Sequence, residues 1–188
     1  MIKNSAFALL MTLLAGTGFA ADYVIDGTGA GMHSFVQFKA SHVGISTMIG
    51  RFNDITGNFT YDADNIEASS ISVAIDPASI DTNHPARDEH LRTSDYLDVE
   101  RYPEAGFIST SFTDTGNGTV RITGDFSLHG VTREISIAAH RTGEGQTPFG
   151  DYRVGFEGTA QIDVVDFGIN LLPDSSLELL LAIEGIRQ

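Results

Sequence analysis

The chain has no cysteine and no tryptophan among its 188 residues. The first absence excludes disulfides, a thiolate nucleophile and the lipidated cysteine of a bacterial lipoprotein. An exported form would therefore be held together by its apolar core alone. The second absence removes the largest ring that could plug an interior. Positive charge is scarce: 11 Lys and Arg face 25 Asp and Glu, a formal charge of −14. Such a surface repels nucleic-acid phosphates and anionic lipid headgroups. Long hydrophobic runs are missing as well. The run SAFALLMTLLAGTGF, Ser5 to Phe19, is shorter than the roughly 20 residues a spanning helix needs.

That first run reads instead as a secretory signal. Lys3 supplies the charged start, and Gly18 and Ala20 are the small residues a signal peptidase reads, with cleavage expected after Ala20. Residues 1–20 are thus the expected signal peptide and 21–188 one domain, long enough to bury a core of its own. Loss of Lys3 takes the charge to about −15, which favours solubility. Export with no disulfides fits the bacterial periplasm.

What is abundant is period-two alternation, the mark of strands whose successive side chains point to opposite sides. Ser34, Val36, Phe38, Ala40 and His42 share one face; Phe35, Gln37, Lys39 and Ser41 share the other. Tyr152, Val154, Phe156, Gly158, Ala160, Ile162 and Val164 likewise alternate with polar residues. The pattern recurs at Ile71–Ile75, Val120–Leu128, Ile135–Ala139 and Leu177–Ile183, with further strands expected at about Thr47–Tyr61 and Glu104–Thr113. Turn signals separate them at 62–65, 115–118, 129–132, 143–148 and 172–175. About eight long strands joined by short turns predict an all-β, antiparallel barrel, because closure removes free edges. A two-sheet sandwich is the competing architecture.

The alternation stops between Ile75 and Glu104. Within DPASIDTNHPARDEHLRTSDYLDVERYP, Pro85 suits a first helical turn, and Asp88 and Glu89 sit where the helix dipole favours acids. Ser94 and Asp95 could cap a second short turn before Pro103. A short helical insertion is therefore expected at about 83–98, between the third and fourth strands, seated by Leu91, Tyr96 and Leu97.

With these segments in order, the chain resembles the YceI family of lipocalin-like, polyisoprenoid-binding periplasmic proteins. The first segment is HSFVQFKASHVGISTMIGRFNDITGNF, with His33, Ser34, Phe38, His42, Gly50, Phe52 and Gly57 in place. The second is SIDTNHPARDEHLRTSDYLDVERYPEAGFIS, through Ser79, Asp81, Thr82, Arg87, Asp88, His90, Leu91, Asp95, Asp98, Tyr102, Pro103, Phe107 and Ser109. GDFSLHGVTREISI and PFGDYRVGFEGTAQIDVVDFGI complete the order. The C-terminal NLLPDSSLELL is less typical of the family. The resemblance implies a lipocalin-like eight-stranded barrel whose apolar tunnel takes a long lipid tail, a polyisoprenoid or ubiquinone-like lipid, with no obligatory cofactor.

The expected tunnel wall is Val36, Phe38, Ala40, Phe52, Val73, Ile75, Phe107, Ile122, Phe126, Ile137, Tyr152, Val154, Phe156, Ile162, Leu179 and Leu181. Composition alone leaves a packed interior equally open. Small inward residues (Ala40, Gly124, Ala139, Gly158, Ala160) favour a void, whereas glycine also serves barrel corners. Ser34 and His42 share parity with Phe38, and Arg87, Asp88 and His90 lie on the insertion, so these five are the candidates for a polar headgroup at the rim. The plainer reading of Arg87, Asp88 and His90 is that they tie the helix to the barrel rim by ion pairs and hydrogen bonds. The rival use of Asp88 and His90 is catalysis, as a hydrolase or a metal-dependent enzyme. No nucleophile elbow and no HExxH accompanies them, so the chain is expected not to be an enzyme. A third reading is an accessory subunit of a membrane redox system, with a membrane cytochrome as partner. The expected state is a monomer or homodimer that binds a long-chain lipid and no nucleic acid.

Overall fold

The structure, a computed structural model, describes residues 20–27, 32–170 and 175–188. The expected signal peptide lies outside the described residues except for Ala20, as does most of the expected turn at 172–175. The strands are β1 (Ala21–Ile25), β2 (Phe35–His42), β3 (Ser46–Phe52), β4 (Ile55–Tyr61), β5 (Ser70–Ile75) and β6 (Ile80–Asp81), then β7 (Ala105–Gly116), β8 (Thr119–Leu128), β9 (Val131–Gln146), β10 (Tyr152–Asp163) and β11 (Ser176–Arg187). One helix, α1 (Pro85–Arg92), lies between β6 and β7.

Eight of these strands close a ring in the order β1-β4-β5-β7-β8-β9-β10-β11, with β11 returning to β1, and every pairing is antiparallel. β11 closes it by sharing one edge between two strands. Leu177–Ala182 pairs with β2, and Gly185–Arg187 pairs with β1. β2, β3 and β6 therefore branch from the ring as a short wing.

The stretch expected as one strand over Thr47–Tyr61 is two, β3 and β4. The chain bends at Asn53 and Asp54, whose amides both donate to the Ser79 hydroxyl at 3.0 Å. β1 escaped the sequence pattern because five residues hold too few alternations to register. The expected turn at 143–148 is mostly strand: β9 runs on to Gln146, pairing Glu144 with Val154 and Gln146 with Tyr152. The turn proper starts at Thr147, whose hydroxyl bonds Asp151. At 115–118 the turn signal marks a true hairpin, with Asn117 at φ 57° and Gly118 at φ 76°. That left-handed pair matches the twist of the flanking strands.

The helical insertion falls between the ring strands β5 and β7, as expected, with the two-residue β6 ahead of it. His84 caps α1 by accepting the Arg87 amide at 3.2 Å, and Pro85 occupies the first turn, where its missing N–H costs nothing. The second short turn expected at Ser94 and Asp95 forms, with Thr93 rather than Ser94 as its acceptor. The Thr93 carbonyl receives the Tyr96 and Asp98 amides, giving successive turns through Arg101.

Candidate functional site

The inward faces of the strands do not fill the barrel. They surround a cavity of about 200 Å³ whose wall is almost entirely aliphatic and aromatic. Val36, Phe38, Ala40, Phe52, Val73, Ile75, Phe107, Ile122, Phe126, Ile137, Phe156, Ile162, Leu179 and Leu181, all expected on a tunnel wall, line it. So do Ala139 and Gly158 among the small inward residues. Gly124 leaves no void, because a Cβ there would meet the Phe107 ring at 2.5 Å. Its missing side chain makes room for a ring.

Tyr152 and Val154 share the inward parity but not the cavity. A group of rings closes the barrel before it reaches them. Tyr23 stacks on Phe59 at 4.9 Å, and Phe59 and Tyr61 each meet Phe156 edge-on, at 5.7 and 5.1 Å. Val154 is wholly buried, and Tyr152 lies under the Arg187 guanidinium. At the opposite end Phe126 meets Phe167 edge-on at 5.4 Å, and the His129 ring bonds the Phe167 carbonyl at 3.0 Å. Leu91, Tyr96 and Leu97 of the insertion complete the wall beside Ile80.

The five polar residues expected at the rim are dispersed. Ser34 is fully buried; its hydroxyl accepts the Glu184 amide at 2.9 Å and donates to the Glu184 carbonyl at 3.1 Å. His42 is exposed at the end of β2. Asp88 is buried and accepts from the Thr82 amide (2.8 Å) and hydroxyl (2.5 Å). Arg87 donates to the same Thr82, to its hydroxyl at 2.7 Å and its carbonyl at 2.6 Å. His90 points away from them, edge-on to Tyr96 and 3.8 Å from Asp95. None of the five belongs to the cavity wall. Asp88 and His90, the pair a general-base mechanism would use, are turned to different partners. Arg92, which the sequence reading left without a role, donates to the Ala78 and Ile80 carbonyls at 2.7 and 2.8 Å. The charged stretch thus fastens the insertion to β6 so that its apolar residues face inward.

Two polar groups were missed. Thr60, Tyr61, Ser69 and Ser70 lie on the cavity wall at the end of β4 and the start of β5. They had no motif to announce them, since a tyrosine at a strand end is ordinary. Burial raises the Tyr61 phenol above its usual pKa, with Arg141 opposing and Glu144 and Asp62 reinforcing the shift. The second group is outside the cavity. Arg153 bonds Asp26 (2.6 Å), Asp151 (2.8 Å) and Glu184 (2.5 Å), which raises its own pKa and lowers that of Asp151. Asp26, His33 and Glu184 bring ligand-type atoms within 4.8 Å of one another. The Arg153 guanidinium already sits on the carboxylate oxygens a metal would use.

The YceI-like domain model matches residues 23–184. The chain belongs to the YceI-like family. A UPF0312 protein of Ectopseudomonas mendocina (strain ymp) is 50% identical over 193 residues, covering 100% of both chains. Among solved structures, the Campylobacter jejuni YceI protein superposes with a TM-score of 0.70 at 26% identity, covering 80% of this chain and 91% of that one. A polyisoprenoid binding domain from Saccharophagus degradans, implicated in plant cell wall breakdown, gives a TM-score of 0.63, covering 90% of this chain and 100% of that one. Its 14% identity makes that likeness one of fold. The solved relatives thus share the barrel fold of this chain.

Proposed function

We propose that this protein is a non-enzymatic periplasmic carrier or sequestering protein that holds the tail of a long isoprenoid, polyprenyl or quinone-like, in its barrel. The observation that carries this is the cavity: about 200 Å³ with a wall that offers an aliphatic chain carbon on nearly every side. Each buried methylene is worth about 0.8 kcal/mol, so ten carbons give roughly 8 kcal/mol before ordering and association take back several. Micromolar affinity or better is the expected result. An apolar wall discriminates tails by length and girth only. The Saccharophagus degradans domain, polyisoprenoid-binding by description, supports the reading through its fold.

Organic extraction of protein purified from its native host, followed by mass spectrometry, tests it directly. A co-purifying long-chain lipid, and uptake of added isoprenoid by stripped protein, are expected. Repeated recovery of no lipid, with no uptake, overturns the proposal.

A further inference from the structure

Polar side chains are not spread evenly around the cavity. Apart from Tyr96 and Glu157, those on its wall are Thr60, Tyr61, Ser69 and Ser70, all from the junction of β4 and β5. Ser70 is also exposed, so the wall reaches solvent here. The Tyr61 ring meets Phe156 across the barrel, which places its phenol at the boundary between the apolar chamber and water. Neither lysine nor arginine lines the cavity among the described residues.

The charges that act on the Tyr61 phenol are one guanidinium, Arg141, and two carboxylates, Glu144 and Asp62. Arg141 and Glu144 bond each other, so the cation is already matched and a carboxylate is left over. A phosphorylated head brought here would meet a balance of like sign. A cationic head would contend with Arg141. A hydroxyl or carbonyl meets neither obstacle and can exchange a hydrogen bond with a phenol, which both donates and accepts.

We propose that the polar head of the bound lipid lies at the β4–β5 end of the cavity against Tyr61, and that it is an uncharged hydroxyl or carbonyl head. This rests on the carrier reading and adds to it an orientation and a head chemistry.

Geranylgeraniol, geranylgeranylamine and geranylgeranyl diphosphate share one tail and differ in head; phytane has a comparable tail and no head. Each is titrated calorimetrically into the full chain. The alcohol is expected to bind about tenfold or more tighter than the diphosphate or the amine. Tyr61→Phe keeps the ring against Phe156 and removes only the hydroxyl. It should weaken the alcohol roughly threefold to tenfold and leave phytane unchanged. Glu144→Gln leaves Arg141 matched only by Asp62 and should narrow the deficit of the diphosphate. A diphosphate or amine that binds as tightly as the alcohol overturns the inference, and so does a Tyr61→Phe protein that binds the alcohol unchanged. Phytane binding without preference among heads overturns this inference alone. Failure of all four to bind removes the carrier reading and this inference with it.

Discussion

Phe38 on β2 lies directly across from Gly50 on β3, and a Cβ on Gly50 would stand 2.3 Å from the Phe38 Cζ. The ring occupies the space that the missing side chain leaves, and in that position it forms part of the cavity wall. Gly50→Ala should force the ring off its rotamer and cost roughly 1–3 kcal/mol in urea unfolding. Adding Phe38→Leu to that variant should recover part of the loss. A Gly50→Ala protein with wild-type stability would show that the ring is free to move.

Asp88 and His90 separate cleanly by experiment. Asp88→Ala leaves the Thr82 amide and hydroxyl without their buried acceptor, and should cost roughly 2–4 kcal/mol. Because Leu91 and Leu97 close the cavity from the same insertion, tail affinity should fall as well. His90→Ala removes an exposed ring and should stay within about 0.5 kcal/mol of wild type, with tail affinity kept. Thermal melts and tail titrations on both variants suffice. Equal losses would contradict the different placements of the two side chains.

Ala139 reports on the cavity itself. It is buried, lies on the wall, and stands opposite Gly158. Ala139→Leu places extra carbons where two or so methylenes of a tail would lie, about 1.6 kcal/mol or roughly tenfold in affinity for long tails. The ligand-free protein should be as stable as wild type, since the new side chain enters a void. Binding measured across a series of tail lengths should shift toward shorter chains. An unchanged profile would place the tail elsewhere.

Arg153 predicts a pH dependence. The Asp151 carboxyl is held below its ordinary range, first by the hydrogen bond from Arg153 and next by that from Thr147. A carboxyl shifted down stabilises the fold above its unfolded pKa of about 3.9, and that contribution disappears as pH falls through the lower folded value. Arg153→Met removes the larger cause of the shift and leaves the Thr147 bond. The gap in urea midpoint between wild type and variant should therefore be widest near neutrality and shrink below about pH 4. A gap that stays constant to pH 3 would mean that Asp151 contributes nothing through its charge.

The barrel was legible because its strands are long and half-buried, so the alternation in β2, β8, β10 and β11 survives over many residues. Where burial stops being one-sided the sequence says less. Asn53 and Asp54 bend the chain between two apolar strands, and only the distant Ser79 hydroxyl reveals the break. The cavity wall was legible for the same reason as the strands, up to the rings of Phe59, Tyr61 and Phe156. Tyr152 and Val154 obey the parity yet lie behind those rings, and parity carries no information about depth along the barrel. The charged helix was legible only as a choice among structural ties, a headgroup contact and chemistry. Charges at Arg87, Asp88 and His90 suggest chemistry, but two of the three are spent on Thr82, a partner whose importance no local pattern indicates. Tyr61 was hidden because an uncharged polar end needs no motif.

β11 gives one edge first to β2 and then to β1, and the sheet forks there. On the fork's outer limb, β3 is flanked on its far side only at Arg51 and Phe52, by the two-residue β6. Among the described residues, no strand pairs with the outer side of β3 from Ser46 to Gly50, next to the half-exposed Ile49. In a molecule otherwise wrapped upon itself, this is the seam at which a foreign strand could be stitched on. Crowding the protein to high concentration would test that seam first.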